Sequence, residues 1–538
     1  MRLHFALAGA MVLATQGGVA LGQPLVKEAP LRAHLAFLAD DLLEGRGTGQ
    51  RGGDLTVRYL ETQAAIIGLQ PAYGKSYRQS VKMVGTITRA TSYAKFEVGG
   101  KTFSPKLGSE IVINNGNGAP ETRFDAPVLF VGYGIDAPEE NWNDYASIDV
   151  KGKLLVMMVN EPRPTEAEPN RFDGKSLTYY GRWMYKFEES MRRGAAGVLL
   201  IHTTESASYP WSVVGVKHGS ELFDLPGKGN GMQGWIHNDS ARALFSAAGK
   251  NLDALRAQAD VRGFKPVDLG VKARVSIDAT TRAIEQFNVI GIIPGTDAKL
   301  KDQAVVYSSH WDHLGKIESS GQPNRIWNGA VDNASGTAAL LAMAQVAVQK
   351  PARRTQIFMW PCAEEQLLLG SAAYVRDPVW PLSKTVADLN LDSMNFVGKT
   401  RDIGVAGAER SSLYASAAKV AKAMGLRLAP SIPDPSGAYF RADHFSFAKA
   451  GVPAFNVGSA VFSGDGSFDF EHDHAESSAR IVGFNRHYHQ TSDEYDPNWD
   501  LSGMVQQAQF TLNLGYEVAN APTAPTWNKN DPLARVKR

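Results

Sequence analysis

Apolar runs of five to seven residues alternate with segments of helical spacing along most of the chain. Leu31, His34, Leu35, Leu38, Leu42 and Leu43 recur at helical intervals, and the run ends in Glu44-Gly-Arg-Gly-Thr-Gly49. A second amphipathic run, 54–67, stops at Gly68. From about Asp125 the texture becomes strand-like: 126–134, 152–158 and 195–201 are short apolar runs bounded by glycines. A helical segment, 177–193, closes on Gly194 between the last two. A strand at 287–295 exits through Pro294-Gly295. Strand 303–307, helix 338–348, strand 355–360, helix 367–375, strand 384–391 and strand 451–457 follow. This alternation predicts an α/β fold with a mainly parallel central sheet flanked by helices. Residues 520–538 contain prolines and asparagines and read as a surface tail.

Composition narrows the class. At 538 residues, two or three domains are expected. The 43% hydrophobic and 21% charged content is that of a folded, soluble protein. Lys plus Arg (56) balance Asp plus Glu (55), so no overall field favours nucleic acid or an anionic membrane. With Cys362 alone, no internal disulfide forms. Residues 1–22 begin with Met1-Arg2, continue through a short apolar core and end in Ala20-Leu-Gly22. They read as a secretory signal cut before Gln23, which predicts an exported protein, periplasmic or secreted. No later window approaches a membrane span.

Chemistry gathers at the strand ends. His310 with Asp312, then Asp332, Glu364-Glu365 and Asp392 follow successive apolar runs, and a late loop adds Tyr488-His489. Two imidazoles and three carboxylates suit a pair of borderline-soft dications that share one carboxylate, with Asp332 the candidate bridge. Open metal positions would hold a water for hydrolysis, and one glutamate of the adjacent pair would serve as its base. Asp312, two positions beyond His310, suits an orienting carboxylate. On an extended chain His313 is expected to point away from His310, beside the site at best. His34, His202, His218 and His237 read as packing or surface residues. Asp443-His444 reads as no ligand pair, Glu471-His-Asp-His474 as a solvated loop, and Cys362 as a small buried filler.

His310-x-Asp312, Asp332-Asn-Ala-Ser-Gly336, Ala363-Glu-Glu365, a later Asp392 and a closing His489 resemble the co-catalytic di-zinc aminopeptidases. That family includes bacterial leucyl aminopeptidases and glutamate carboxypeptidase-like enzymes. Asn288-Val-Ile-Gly291, Pro294-Gly-Thr-Asp297, Gly370-Ser371 and Arg441-Ala-Asp-His-Phe445 agree. The resemblance implies that His310 and His489 hold one zinc, Glu365 and Asp392 the other, and that Asp332 bridges the two. Glu364 would be the general base, Asp312 would orient His310, and Arg441 and Tyr488 would touch substrate.

It further implies a zinc exopeptidase fold in residues 23–119 and 269–520, which leaves 521–538 as the tail. A β-rich insert at 120–268 resembles the protease-associated domain in its Gly152-Lys and Gly194-Ala-Ala-Gly197-Val segments. The expected activity is removal of N-terminal residues from peptides. The alternatives are a carboxypeptidase or dipeptidase on the same scaffold, or a non-catalytic binding protein. Two positions depart from the family. Leu367 or Leu368 stands where glycine is frequent, which is expected to favour a helix there. Ala442 replaces a frequent serine.

Overall fold

The computed structural model describes residues 24–207, 209–215, 220–227, 229–317, 323–430, 432–458, 468–472, 474–484 and 486–536. The expected leader, 1–22, lies outside them. The organising element is a single strand, Val267–Ile293, long enough to belong to two cores. Its first half pairs antiparallel with Glu121–Phe130 and Tyr93–Val98. Its second half pairs antiparallel with Arg78–Thr88 and Thr355–Trp360.

Beyond Thr355–Trp360 the sheet is parallel. Ala304–Ser308 lies between Thr355–Trp360 and Thr385–Asn390, and Ala454–Asn456 follows outside them. Every residue of the three inner strands is buried, as expected where helices cover both faces. Helices Glu28–Leu38, Ser335–Ala347 and Ser502–Asn520 contribute to that core. Ser335–Ala347 is buried almost all round because Ala338, Ala339, Leu340, Leu341 and Met343 leave it no polar stripe. On the other side Leu154–Met158, Gly197–His202 and Met232–His237 run parallel, with Ile111–Asn114 antiparallel at the edge. Their core reaches back to Ala94 and forward to Ile277, beyond the expected 120–268.

Two local expectations change. The helix expected from 177 begins only at Trp183, after a 3-10 turn at Tyr179–Gly181. The helix expected from 367 begins at Leu369, because Leu367 (φ 73°) and Leu368 (φ 61°) are left-handed. The frequent glycine there answers to backbone shape, and lacking it does not extend the helix. The C-terminal stretch is held against the turn before strand Ala454–Asn456: Trp527 Nε1 donates to the Gly451 carbonyl at 2.8 Å. Among the described residues no helix is long and apolar enough to cross a membrane.

Candidate metal centre

Parallel strands end at one edge of the sheet, so residues just past each end converge. His310 follows Ala304–Ser308, Glu364 and Glu365 follow Thr355–Trp360, and Asp392 follows Thr385–Asn390. Asp332 comes from the turn that precedes helix Ser335–Ala347. Asp493 fixes that turn by accepting from the Val331 and Asp332 amides at 2.9 and 3.1 Å. His489 arrives from the loop after helix His474–Phe484 with its ring stacked on Tyr488.

Asp332 stands at the centre. Its Oδ1 is 3.4 Å from His310 Nε2, which is also 3.6 Å from Asp392 Oδ1. Its Oδ2 is 3.2 Å from His489 Nε2, which is 3.1 Å from Glu365 Oε2. Ligands about 2.1 Å from a tetrahedral zinc lie about 3.4 Å from one another, so these separations match ligands of a shared ion. Both imidazole Nε2 atoms are buried without a hydrogen bond, as is that of His313. The five residues therefore fit two metal ions. The grouping, however, differs from the expected one: His310 goes with Asp392, His489 goes with Glu365, and each pair takes one oxygen of Asp332. The two histidines face different oxygens of the central carboxylate.

Glu364 and Glu365 lie against different partners. Glu364 Oε2 is 3.9 Å from His310 Nε2, and its amide donates to Asp312 Oδ1 at 3.1 Å. Burial holds the Glu364 carboxyl well above the usual range, and Glu365, Asp392 and Asp443 push it further against the pull of His310. For Glu365, burial is outweighed by His489 and His313, which hold it below the usual range. Burial alone would lower His489, yet Glu365 and Asp332 raise it to about 10; His310 is raised likewise by Glu364 and the neighbouring aspartates. Asp312 meets His310 chiefly through its backbone, with Nδ1 3.1 Å from the Asp312 carbonyl and 3.7 Å from its carboxylate.

Two parts of the centre escape sequence reasoning. His313 does not point away: it is fully buried, with Nδ1 2.7 Å from Glu365 Oε1. Side chains alternate only while the strand continues, and it has ended at Ser308. The glycine-rich loop 44–49 also braces the site. The buried Arg46 donates to the carbonyls of Leu38, Trp311, Asn328 and Gly329 at 2.5–2.8 Å. Thr48 Oγ1 donates to Asp312 Oδ2 at 3.2 Å. An arginine between glycines was the only local signal, and it names no partner.

Arg441 ends the 3-10 turn Ala438–Phe440. Tyr488 chiefly, and Glu364, hold its guanidinium above the ordinary value. Asp443 and His444 are fully buried outside both ligand groups, with burial pushing Asp443 up to about 7 and His444 down to about 3. Cys362 is buried, its thiol pushed up by that burial. His34 bonds Tyr59 and Gln345, and His202 packs on Trp211, so both are structural. In the acidic loop Glu471 and His472 are exposed; Asp473 and His218 lie outside the described residues.

Residues 288–512, which hold every one of these ligands, match the profile of peptidase family M28. Over that span the chain is similar to this family. An aminopeptidase from Aneurinibacillus sp. strain AM-1 is similar over 93% of this chain and 95% of its own, at 18% identity and a TM-score of 0.50. A zinc aminopeptidase from Bacillus subtilis aligns over 96% of this chain and all of its own at 17% identity, TM-score 0.45. An M28 peptidase precursor from Shewanella amazonensis aligns over 93% and 97% at 16% identity, TM-score 0.38. No curated protein matches the chain. The Aneurinibacillus likeness extends the shared fold across the second core as well as residues 288–512.

Proposed function

We propose that this protein is an exported zinc aminopeptidase whose M28 domain holds two ions and uses Glu364 as general base. The carrying observation is Asp332, whose two oxygens face two separate groups of nitrogen and oxygen ligands at zinc-like separations. His310, Asp392 and Asp332 would hold one ion, and His489, Glu365 and Asp332 the other. When bound, such ions acidify a water and polarise a carbonyl. Glu364 sits beside the His310 group without belonging to the Glu365 side, and its raised carboxyl is suited to receiving a proton. It takes the proton of the attacking water as oxygen bonds to the scissile carbon. It then returns that proton to the leaving nitrogen as the C–N bond breaks. Arg441 and Tyr488, beside Glu364, would hold the substrate backbone.

The resemblance of residues 1–22 to a secretory signal supports export, and N-terminal sequencing of exported material should begin at Gln23. Recovery of an intact Met1 in that fraction would count against it. Hydrolysis of aminoacyl anilides, abolished by chelator and restored by zinc, tests the activity. Failure of the anilides under zinc, with N-blocked dipeptides cleaved instead, would overturn the aminopeptidase assignment.

A second reading, cleavage of substrates anchored by a free carboxylate, is favoured by two arginines. Among the described residues neither Arg441 nor Arg182 makes an ion pair, and Arg182 Nε is buried without a partner. Arg182 reaches the Arg441 region from the second core, donating to the Ser436 carbonyl at 3.1 Å. Burial and then the nearby Arg441 push its guanidinium down to about 10. Two cations side by side with no carboxylate partner among the described residues suit a carboxylate ligand. The same N-blocked dipeptides discriminate the readings.

A further inference from the structure

His313 is clamped from three directions. Its amide donates to the Arg46 carbonyl at 3.4 Å. Its ring meets His489 edge-on, with centroids 5.5 Å apart at 71°. Against its other side runs the backbone at Gly329 (φ +56°), where a Cβ would stand 2.4 Å from His313 Cγ and 2.1 Å from the Asp332 carbonyl. Glycine therefore makes room for this imidazole.

The distances separate two roles for the ring. Two ligands of one tetrahedral ion lie about 3.4 Å apart. His313 Nδ1 and Glu365 Oε1 are 2.7 Å apart, which is a hydrogen bond and too short for co-ligation. A carboxylate only accepts, so Nδ1 carries the hydrogen. Glu365 is then spanned by two imidazoles, one on each oxygen: Oε1 to His313 and Oε2 to His489 at 3.1 Å. Asp332 Oδ2 is 3.9 Å from His313 Nδ1, outside hydrogen-bond range.

We infer that His313 is a positioning residue: it ties down Oε1 of Glu365, so that Oε2 alone is presented to the ion on the His489 side. The inference rests on the two-metal reading and concerns one of its two sites. Groups that orient a ligand are worth roughly 10–100-fold in metal affinity. The test strips the purified full-length protein with chelator and reloads it at buffered free zinc, reading zinc per chain and affinity by elemental analysis and chelator competition. His313→Ala should weaken one zinc by roughly 10–100-fold and leave the other as in the wild type. His313→Asn, whose amide nitrogen stands near the Nδ1 position, should recover most of that loss while circular dichroism shows the fold intact.

Unchanged affinities in the alanine variant would overturn the inference. So would equal losses in the alanine and asparagine variants, which would make the ring a ligand or a packing group. If the wild type never exceeds one zinc, the two-metal reading has failed. Restoration of that single zinc's affinity by asparagine then still decides for His313, and absence of restoration against it.

Discussion

Glu364 and Glu365 are adjacent acids with opposite electrostatics, one held above and the other below the ordinary carboxylate range. Glu364→Gln should cut turnover by roughly 10²–10⁴-fold with metal content near normal, since the amide cannot take a proton. Glu365→Gln should instead lose zinc from the His489 side and regain activity in excess zinc. The reverse pattern, read by elemental analysis beside kcat, would exchange the two roles. The imidazoles supply a pH test. With the His489 pKa raised to about 10, the metal-free protein holds a proton there at neutral pH. Zinc must displace it, so affinity should rise with pH and calorimetry in buffers of different ionisation enthalpy should show proton release. A raised folded pKa contributes stability below the ordinary 6.5 and loses it towards 10. Metal-free protein should therefore weaken across that window while loaded protein does not.

At the level of elements, two loops are shaped by backbone demands. Leu367 is exposed and left-handed, an arrangement that costs a non-glycine residue about 1–2 kcal/mol. Glycine adds back some unfolded-state entropy, so Leu367→Gly should raise stability by up to about 1 kcal/mol in a urea titration. A loss of stability would show that the side chain packs. The loop around Arg46 behaves oppositely. One guanidinium satisfies four carbonyls, including those of Trp311, Asn328 and Gly329, which flank His310 and Asp332 in sequence. Replacing it leaves buried acceptors unpaired at about 1–3 kcal/mol each. Arg46→Met should destabilise the fold severely and reduce zinc retention, whereas Arg46→Lys, able to serve only some of these carbonyls, should fall between.

Across the whole molecule, the long strand Val267–Ile293 couples two cores, and the second core sends a segment back to the first. Leu177 donates to the Asp434 carbonyl at 2.8 Å, and Tyr179 packs against Phe440 and Phe445. That contact places Arg182 near Arg441 without involving a metal ligand. Arg182→Gln should raise KM for substrates with a free C-terminal carboxylate, while kcat and zinc content stay near wild type. An unchanged KM would remove the second core from substrate recognition.

The strand–helix alternation, the order of His310, Asp332, Glu364-Glu365, Asp392 and His489, and a separate β-rich region were legible along the chain. Each depends on local periodicity or on residues adjacent to a strand end. The division of ligands between two ions was not legible, since it depends on which oxygen of Asp332 each imidazole faces. Nor were the burial of His313 against Glu365, the reach of Arg46 under Trp311, or the meeting of Arg182 with the Ser436 loop. Those pairs are separated by 52, 265 and 254 residues. Contacts between such distant positions leave no periodic trace in the sequence, and are set by where the sheet edge, the loop 44–49 and the second core come to rest.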